Sequence, residues 1–183
     1  MQNSAELKPV DLREVETAAR NCHCRAVYLH WTAGRYGQVF PEYHISIDKD
    51  GRIYFPDDCA NFDVTREHTW CRNTGAIGVA LCGCFDAVAN GGPDCDMGTN
   101  PVTGAQIEVL AAVVATICSA TGIPLTDVKT HCEVAYEDDY GPGSGDPETK
   151  WDLWFLPDTD GKIKPGGYVI RGKAAWYMRE WRK

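Results

Sequence analysis

The chain has little positive charge, no long hydrophobic run near its start and no low-complexity tract. Its 18 lysines and arginines are outnumbered by 26 aspartates and glutamates, which gives a formal net charge of -8. An acidic surface repels nucleic acid and anionic membranes, so we expect no nucleic-acid partner. Residues 1–20 mix charged and apolar side chains, unlike a signal peptide. We expect no later apolar stretch to be long enough to span a bilayer. We therefore expect synthesis in the cytoplasm and no membrane insertion.

Cysteine, in contrast, is abundant, with nine residues in the chain. In the cytoplasm the default state is the reduced thiol, and an odd number leaves at least one cysteine unpaired within a monomer. The pairs Cys22-x-Cys24 and Cys82-x-Cys84 lack the two-residue spacing of a structural zinc knuckle. We expect mostly small buried side chains, with disulfides left open if the protein acts outside the cytoplasm. Local metal binding at His23, between two of these cysteines, is a further alternative.

The hydrophobic pattern predicts an α/β fold, with a central mixed sheet flanked by helices in one domain spanning residues 1–183. Ala76–Leu81 is uninterruptedly apolar, which suits a strand covered on both faces. Thr103 and Gln106 have the spacing of a helical capping box, and Gly122 ends that helix. The other predicted elements are a helix at 11–21, strands at 26–29 and 128–130, a hairpin at 44–55, loops at 83–101 and 137–149, and a terminal helix at about 168–183.

Two histidines follow predicted central strands, His30 and His131, and a carboxylate follows a polar loop at Asp152. Strand ends are where open α/β sheets place their ligands. A catalytic zinc ion needs three protein ligands and one position left for water, a requirement that these three residues meet. Spacing alone also allows ordinary hydrogen-bonded histidines.

The chain contains, in order, a series of short segments that together are more specific than any one of them. They are Tyr28-Leu29-His30-Trp31-Thr32-Ala33-Gly34, Tyr43-His44 before an Asp-Gly hairpin, Arg72-Asn73-Thr74-Gly75-Ala76-Ile77-Gly78-Val79-Ala80-Leu81-Cys82-Gly83, Lys129-Thr130-His131 and Lys150-Trp151-Asp152. This series, over about residues 25–156, resembles the zinc-dependent N-acetylmuramoyl-L-alanine amidases. That family includes phage amidase lysins and animal peptidoglycan recognition proteins, and the resemblance implies its type 2 amidase fold.

The resemblance also implies roles for individual residues. His30, His131 and Asp152 take the places of the three zinc ligands, while Tyr43 and Lys150 take those of a catalytic tyrosine and lysine. Candidates for the substrate groove are Trp31, Thr32, His68, Arg72, Asn73 and Thr74. For Trp31 the alternative is core packing, for His68 an ordinary surface loop, and we expect His44 to be structural.

The sequence departs from the family pattern at one place. The cytoplasmic muropeptide-recycling branch carries a catalytic glutamate in the strand where this chain has Ala80. Tyr43 and Lys150 would then have to suffice, as in the phage branch. An ordinary phenol, with a pKa near 10, is a poor base at neutral pH. Lys150 is the expected cation that stabilises the negative charge on the oxygen of the tetrahedral intermediate.

The implied activity is zinc-dependent hydrolysis of the amide between N-acetylmuramic acid and L-alanine, on peptidoglycan or muropeptides. We expect a phage-type lysin or an antibacterial effector that reaches the periplasmic wall after release or delivery. An effector would imply an immunity protein as partner. The alternatives are a noncatalytic peptidoglycan-binding module, a recycling amidase, and a peptidase with Cys132 or Cys24 as nucleophile. Cys132 is more simply explained as a buried residue behind the site.

Overall fold

The computed structural model describes residues 9–56, 61–88, 96–139 and 152–183, in which eight strands and four α-helices are formed. The strands are β1 (Pro9–Val10), β2 (Ala26–Trp31), β3 (Ile45–Ile47), β4 (Ile53–Tyr54), β5 (Ala76–Leu81), β6 (Val128–Thr130), β7 (Phe155–Pro157) and β8 (Ile163–Pro165). The helices are α1 (Leu12–Arg20), α2 (Gly104–Thr121), α3 (His131–Glu137) and α4 (Gly166–Glu180).

Six strands form one mixed sheet in the order β1-β4-β3-β5-β2-β6. Strand β2 is parallel to both β5 and β6, and β3 is parallel to β5, whereas β4 is antiparallel to β3 and β1. Strands β7 and β8 form a separate antiparallel pair. The predicted α/β class, a mixed sheet with flanking helices, is confirmed.

The two faces of the sheet have different roles. On one face, alternate residues of β2 and β5 such as Leu29 and Val79 belong to the main hydrophobic core, beneath α1 and α2. The strand register places His30 opposite Ala80, and Ala80 opposite Ser46. Because register partners in a parallel sheet point the same way, these three residues form a row on the other face. The sheet therefore separates an apolar core from a face that carries polar side chains.

Helix α2 forms as the sequence predicts. Thr103 and Gln106 make a complete capping box, and Gly122 ends the helix in the left-handed conformation with φ of 79°. By length and composition alone α2 could cross a membrane, contrary to the expectation that no stretch was long enough, but 61% of it is buried within the fold. It packs against α1, α4 and the sheet, which is the environment of a core helix.

The structure corrects the prediction at the end of β6. His131 directly follows β6 and begins helix α3, an element that was not predicted from the sequence. Thr130 and Glu133 cap this helix reciprocally, each side chain accepting a hydrogen bond from the other residue's main-chain N–H. Cys132 is buried as expected. It lies in the first turn of α3.

Candidate metal centre

Three predicted ligand side chains converge although they come from distant parts of the chain. Potential donor atoms of His30, His131 and Asp152 all lie within 4.8 Å of one another. Nδ1 of each histidine lies 3.2 Å from the same Asp152 oxygen, Oδ2. The two imidazole rings meet edge to face, with centroids 4.8 Å apart. Within the described residues, one other group of side chains could also hold a metal ion.

Main-chain contacts fix the position of Asp152. Its Oδ1 accepts a hydrogen bond from the main-chain N–H of Trp31 at 2.6 Å. Its carbonyl oxygen accepts one from the N–H of Cys132, in the first turn of α3, at 3.2 Å. Asp152 is thereby held between the end of β2, which carries His30, and the start of α3, which carries His131.

The charges in the centre suit a divalent cation. Burial lowers the pKa of His30, although the neighbouring carboxylate of Asp152 opposes this effect. Burial would raise the pKa of Asp152, but hydrogen bonds with His131 and His30 outweigh it and the pKa is lowered. A neutral His30 imidazole beside an ionised carboxylate is the protonation state in which such groups bind metal ions.

The spacing of the donors also fits zinc. In a tetrahedral site with bonds of about 2.0–2.1 Å, neighbouring nitrogen and oxygen donors lie about 3.3 Å apart. The two nitrogen-to-oxygen distances of 3.2 Å match this value. Two imidazoles and a carboxylate leave one of four positions open, which is typical of a catalytic zinc ion.

A row of polar groups supports His30 from behind. Its Nε2 lies 3.3 Å from the hydroxyl of Thr69, which in turn lies 2.9 Å from Nδ1 of His68. The side-chain oxygen of Asn73 accepts hydrogen bonds from the main-chain N–H groups of His68 and Thr69. Partners of this kind orient a metal-binding imidazole. In the sequence, Thr69 is marked only by its place beside His68.

His68 is buried, so the surface-loop alternative for this residue is wrong. Burial, together with the nearby imidazoles of His30 and His44, lowers its pKa to about 2. A Cβ atom at Gly78 would lie 2.6 Å from the His68 ring, so only glycine leaves room for it. His44 is structural, as predicted, because its ring joins the N–H of Gly78 and the carbonyl of Val64.

Tyr43 is the predicted catalytic residue that the structure places beside the centre. Its ring centroid lies 5.2 Å from that of His30. Strand alternation would place Tyr43 on the same face as Ile45 and Ile47, which belong to the main core, but Tyr43 lies before β3 and its ring contacts His30 on the opposite face. Burial, with the nearby carboxylate of Asp152, raises the pKa of Tyr43. Lys150, the other predicted catalytic residue, lies outside the described residues.

The remaining groove candidates occupy varied positions. Trp31 is buried in the main core, as its alternative proposed. The hydroxyl of Thr32 accepts hydrogen bonds from the N–H groups of Gly34 and Gly83 and so fixes the loop after β2. Arg72 is paired with Asp138, and with the exposed Thr74 it lines a cavity of about 290 Å³. Asn73, as described above, shapes the loop that holds Thr69.

The corner that carries His131 is clamped by α4. Arg171 makes two hydrogen bonds to the carboxylate of Glu133, at 2.7 and 2.8 Å, and a third to the carbonyl of Val128. Burial would raise the pKa of Glu133, but the bonds from Arg171 and Thr130 lower it. Glu133 therefore joins the cap of α3 to α4 as an ionised group.

Comparison with known proteins identifies the family. The family model described as N-acetylmuramoyl-L-alanine amidase matches residues 14–147, more than half of the chain. The chain therefore belongs to the N-acetylmuramoyl-L-alanine amidases, enzymes that hydrolyse an amide bond in peptidoglycan. The matched range contains His30 and His131 and ends before Asp152. A comparison with curated proteins finds no match.

Among solved structures, the chain is similar to the endolysin N-acetylmuramoyl-L-alanine amidase LysCS from Clostridium intestinale URNW. The identity is 24%, the match covers 63% of this chain and 73% of the other, and the TM-score is 0.45. It is also similar to an endolysin of the Thermus scotoductus bacteriophage Ph2119. Here the identity is 16%, the coverage is 60% and 72%, and the TM-score is 0.44.

Proposed function

We propose that this amidase is zinc-dependent and cleaves the bond between N-acetylmuramic acid and L-alanine, with His30, His131 and Asp152 as the zinc ligands. Family membership supports the reaction. The observation that carries the assignment of the ligands is the convergence of three donors from β2, α3 and the segment after residue 151 within 4.8 Å. Donor spacing and charge fit the ion, as argued above.

Each residue near the centre has a task in this proposal. When bound, zinc would act as a Lewis acid that polarises the substrate carbonyl, and it would lower the pKa of a bound water. Tyr43 keeps its proton at neutral pH, since an ordinary phenol has a pKa near 10 and burial raises the pKa of Tyr43 further. Its phenol therefore donates a hydrogen bond and does not act as the base. The oxyanion of the tetrahedral intermediate requires a cation, and the sequence offers Lys150 for this task.

The biological setting is part of the proposal. We infer that the enzyme acts on the periplasmic wall as a phage-type lysin or an antibacterial effector, and an effector would need an immunity protein. Ala80 supports this setting over muropeptide recycling. It lies beside His30 in the sheet, where the recycling branch would carry its glutamate.

The test is release of stem peptides from purified sacculi by the zinc-loaded protein, detected as new amino-terminal L-alanine. We expect release from the unmodified enzyme, no release with a chelator or with Asp152→Ala, and unchanged release with the control Asp127→Asn, at an exposed carboxylate. No release by protein that holds zinc would reject the hydrolase and favour the binding module. Faster cleavage of soluble muropeptides than of intact wall would favour recycling.

Alkylation of the cysteines tests the alternative that the protein is a cysteine peptidase. A cysteine nucleophile predicts that alkylation abolishes release and that Asp152→Ala is tolerated. We expect the reverse pattern. Cys132 and Cys24 are both buried, and their thiols are poorly placed to meet a substrate.

A further inference from the structure

A second group of side chains that could hold a metal ion lies at the start of β2, away from the centre at His30. The sulfur atoms of Cys22 and Cys24 and a carboxylate oxygen of Asp63 all lie within 4.8 Å of one another. From Ala26 to His30, β2 alone separates the two groups by about 13 Å, at about 3.3 Å per residue. The proposed hydrolysis uses none of these three side chains.

The surroundings hold the three donors in place. In the metal-free chain the Cys24 thiol donates a hydrogen bond to the carbonyl oxygen of Phe62 at 3.1 Å, which places the next residue, Asp63, beside it. The thiol gives up this bond when it loses its proton to bind zinc. One Asp63 oxygen accepts a hydrogen bond from the main-chain N–H of His23 at 2.6 Å, and the other lies 2.9 Å from Nδ1 of the His23 ring. The N–H of Asp63 donates to the side chain of Asn61 at 2.9 Å. Metal-binding carboxylates are commonly oriented by such partners.

We propose that Cys22, Cys24 and Asp63 bind a second zinc ion. Thiolate and carboxylate donors suit zinc. In a tetrahedral site with Zn–S bonds of about 2.3 Å, two sulfur donors lie about 3.8 Å apart. The donor atoms here lie within 4.8 Å of one another, which allows this spacing. The spacing Cys22-x-Cys24 excludes a zinc knuckle, but Asp63 supplies a third ligand from another loop. On binding, the two thiols each release a proton, whereas the carboxylate binds as it is. Cys22 is half-buried and Asp63 exposed, which leaves an entry path for the ion.

Three protein ligands leave the fourth position of this ion to water, but the site lies away from the hydrolytic centre, so we expect the ion to act on stability. It links the connection between α1 and β2 to residues 61–69, which include Thr69, whose hydroxyl contacts His30, and the neighbouring His68. Phe62, between Asn61 and Asp63, is buried in the main core. Zinc at this site therefore stabilises the folded protein without contact with substrate.

The first experiment uses the full, reduced chain and measures alkylation of each cysteine by mass spectrometry, with and without zinc. We expect zinc to slow alkylation of Cys22, whose thiol is half-buried, at least tenfold. Cys71 is exposed and serves as an internal control whose rate stays unchanged. Equal rates at Cys22 in both conditions would overturn the proposal. So would a disulfide between Cys22 and Cys24 that persists in a reducing buffer and leaves them unable to take up zinc.

Cobalt(II) titration separates the two centres. Thiolate ligands give cobalt a strong near-ultraviolet charge-transfer band, which imidazole and carboxylate ligands do not give. We expect two cobalt ions in the unmodified chain, and one with no band in Cys22→Ser or Asp63→Asn. Asp152→Ala should bind one ion and keep the band, so loss of the hydrolytic centre is distinguishable from loss of this site. Cys118→Ala, a thiol removed from α2, is the control that keeps both ions. An unmodified chain without the band would contradict the proposal.

Discussion

The carboxylate of Asp152 accepts a hydrogen bond from the main-chain N–H of Trp31, at 2.6 Å across 121 residues of sequence. The donor belongs to the residue after His30, and the other oxygen of the same carboxylate faces His30 and His131. One carboxylate thus satisfies a buried N–H group at the end of β2 and completes the candidate metal centre. Removing the charge and removing the hydrogen bond should have separate consequences.

The variants Asp152→Asn and Asp152→Ala separate these two consequences. Asn keeps an oxygen for the Trp31 N–H but loses the charge. Loss of a residue that only orients a metal ligand typically lowers metal affinity about 10- to 100-fold, so loss of a ligand's charge should lower zinc affinity by more than this. Ala also leaves the buried N–H unpaired, which costs about 1–3 kcal/mol of unfolding free energy. We expect Ala to be less stable than Asn in denaturant titrations with a chelator present. Equal stability of the two variants would show that the Trp31 contact contributes nothing.

Thr69 tests the support behind His30. Thr69→Val keeps the shape of the side chain but removes the hydroxyl between His30 and His68, so zinc affinity should fall about 10- to 100-fold. Thr69→Ser retains the hydroxyl and is the matched control, with affinity close to that of the unmodified enzyme. Competition with a chromophoric chelator measures both. Val and Ser variants with the same affinity would refute an orienting role.

Gly78 tests the packing of His68. A Cβ atom there would overlap the imidazole, whereas one at Gly172, in α4, would meet nothing within 4 Å. Gly78→Ala should therefore lower the unfolding free energy by about 1–3 kcal/mol. Gly172→Ala should raise it by about 0.5–1 kcal/mol, because alanine is the better helix former. Thermal unfolding compares the two, and a neutral Gly78→Ala would contradict the close contact.

Glu133 gives a prediction about pH. Gln at this position can still cap α3 but loses the charge that Arg171 binds, so Glu133→Gln should cost about 1.5–3 kcal/mol at pH 7. The pKa of Glu133 is lowered in the folded state. The stabilisation is therefore complete above the ordinary glutamate pKa of about 4.3 and disappears as the pH falls through the lowered value. Denaturant titrations of metal-free protein should show the two proteins converging in acid. A difference that persists at low pH would exclude the ion pair as its cause.

Local sequence signals predicted the central strands and the longest helix. The capping box at Thr103 and the apolar run of β5 each specify their element with residues close in the chain. Helix α3 was missed because its seven residues follow directly after a short strand. The same capping spacing, from Thr130 to Glu133, was available as a signal. The pair β7 and β8 was missed as well, because Pro157 and Pro165 are unusual in strands.

The candidate site was predictable to a similar degree. His30 lies near the end of an apolar strand, His131 directly follows another, and Asp152 belongs to a family segment, so the three candidate ligands could be chosen from sequence. The supporting contacts could not, because they join residues that no local pattern relates. Asp63 is the clearest example, since only the fold brings it to Cys22 and Cys24, about forty residues earlier.

The most direct test of the central claim is a crystal structure of the zinc-soaked protein with an anomalous difference map at the zinc edge. The account predicts a peak within about 2.0–2.2 Å of a ring nitrogen of His30, a ring nitrogen of His131 and a carboxylate oxygen of Asp152. A map with no peak between these three residues in excess zinc would contradict it.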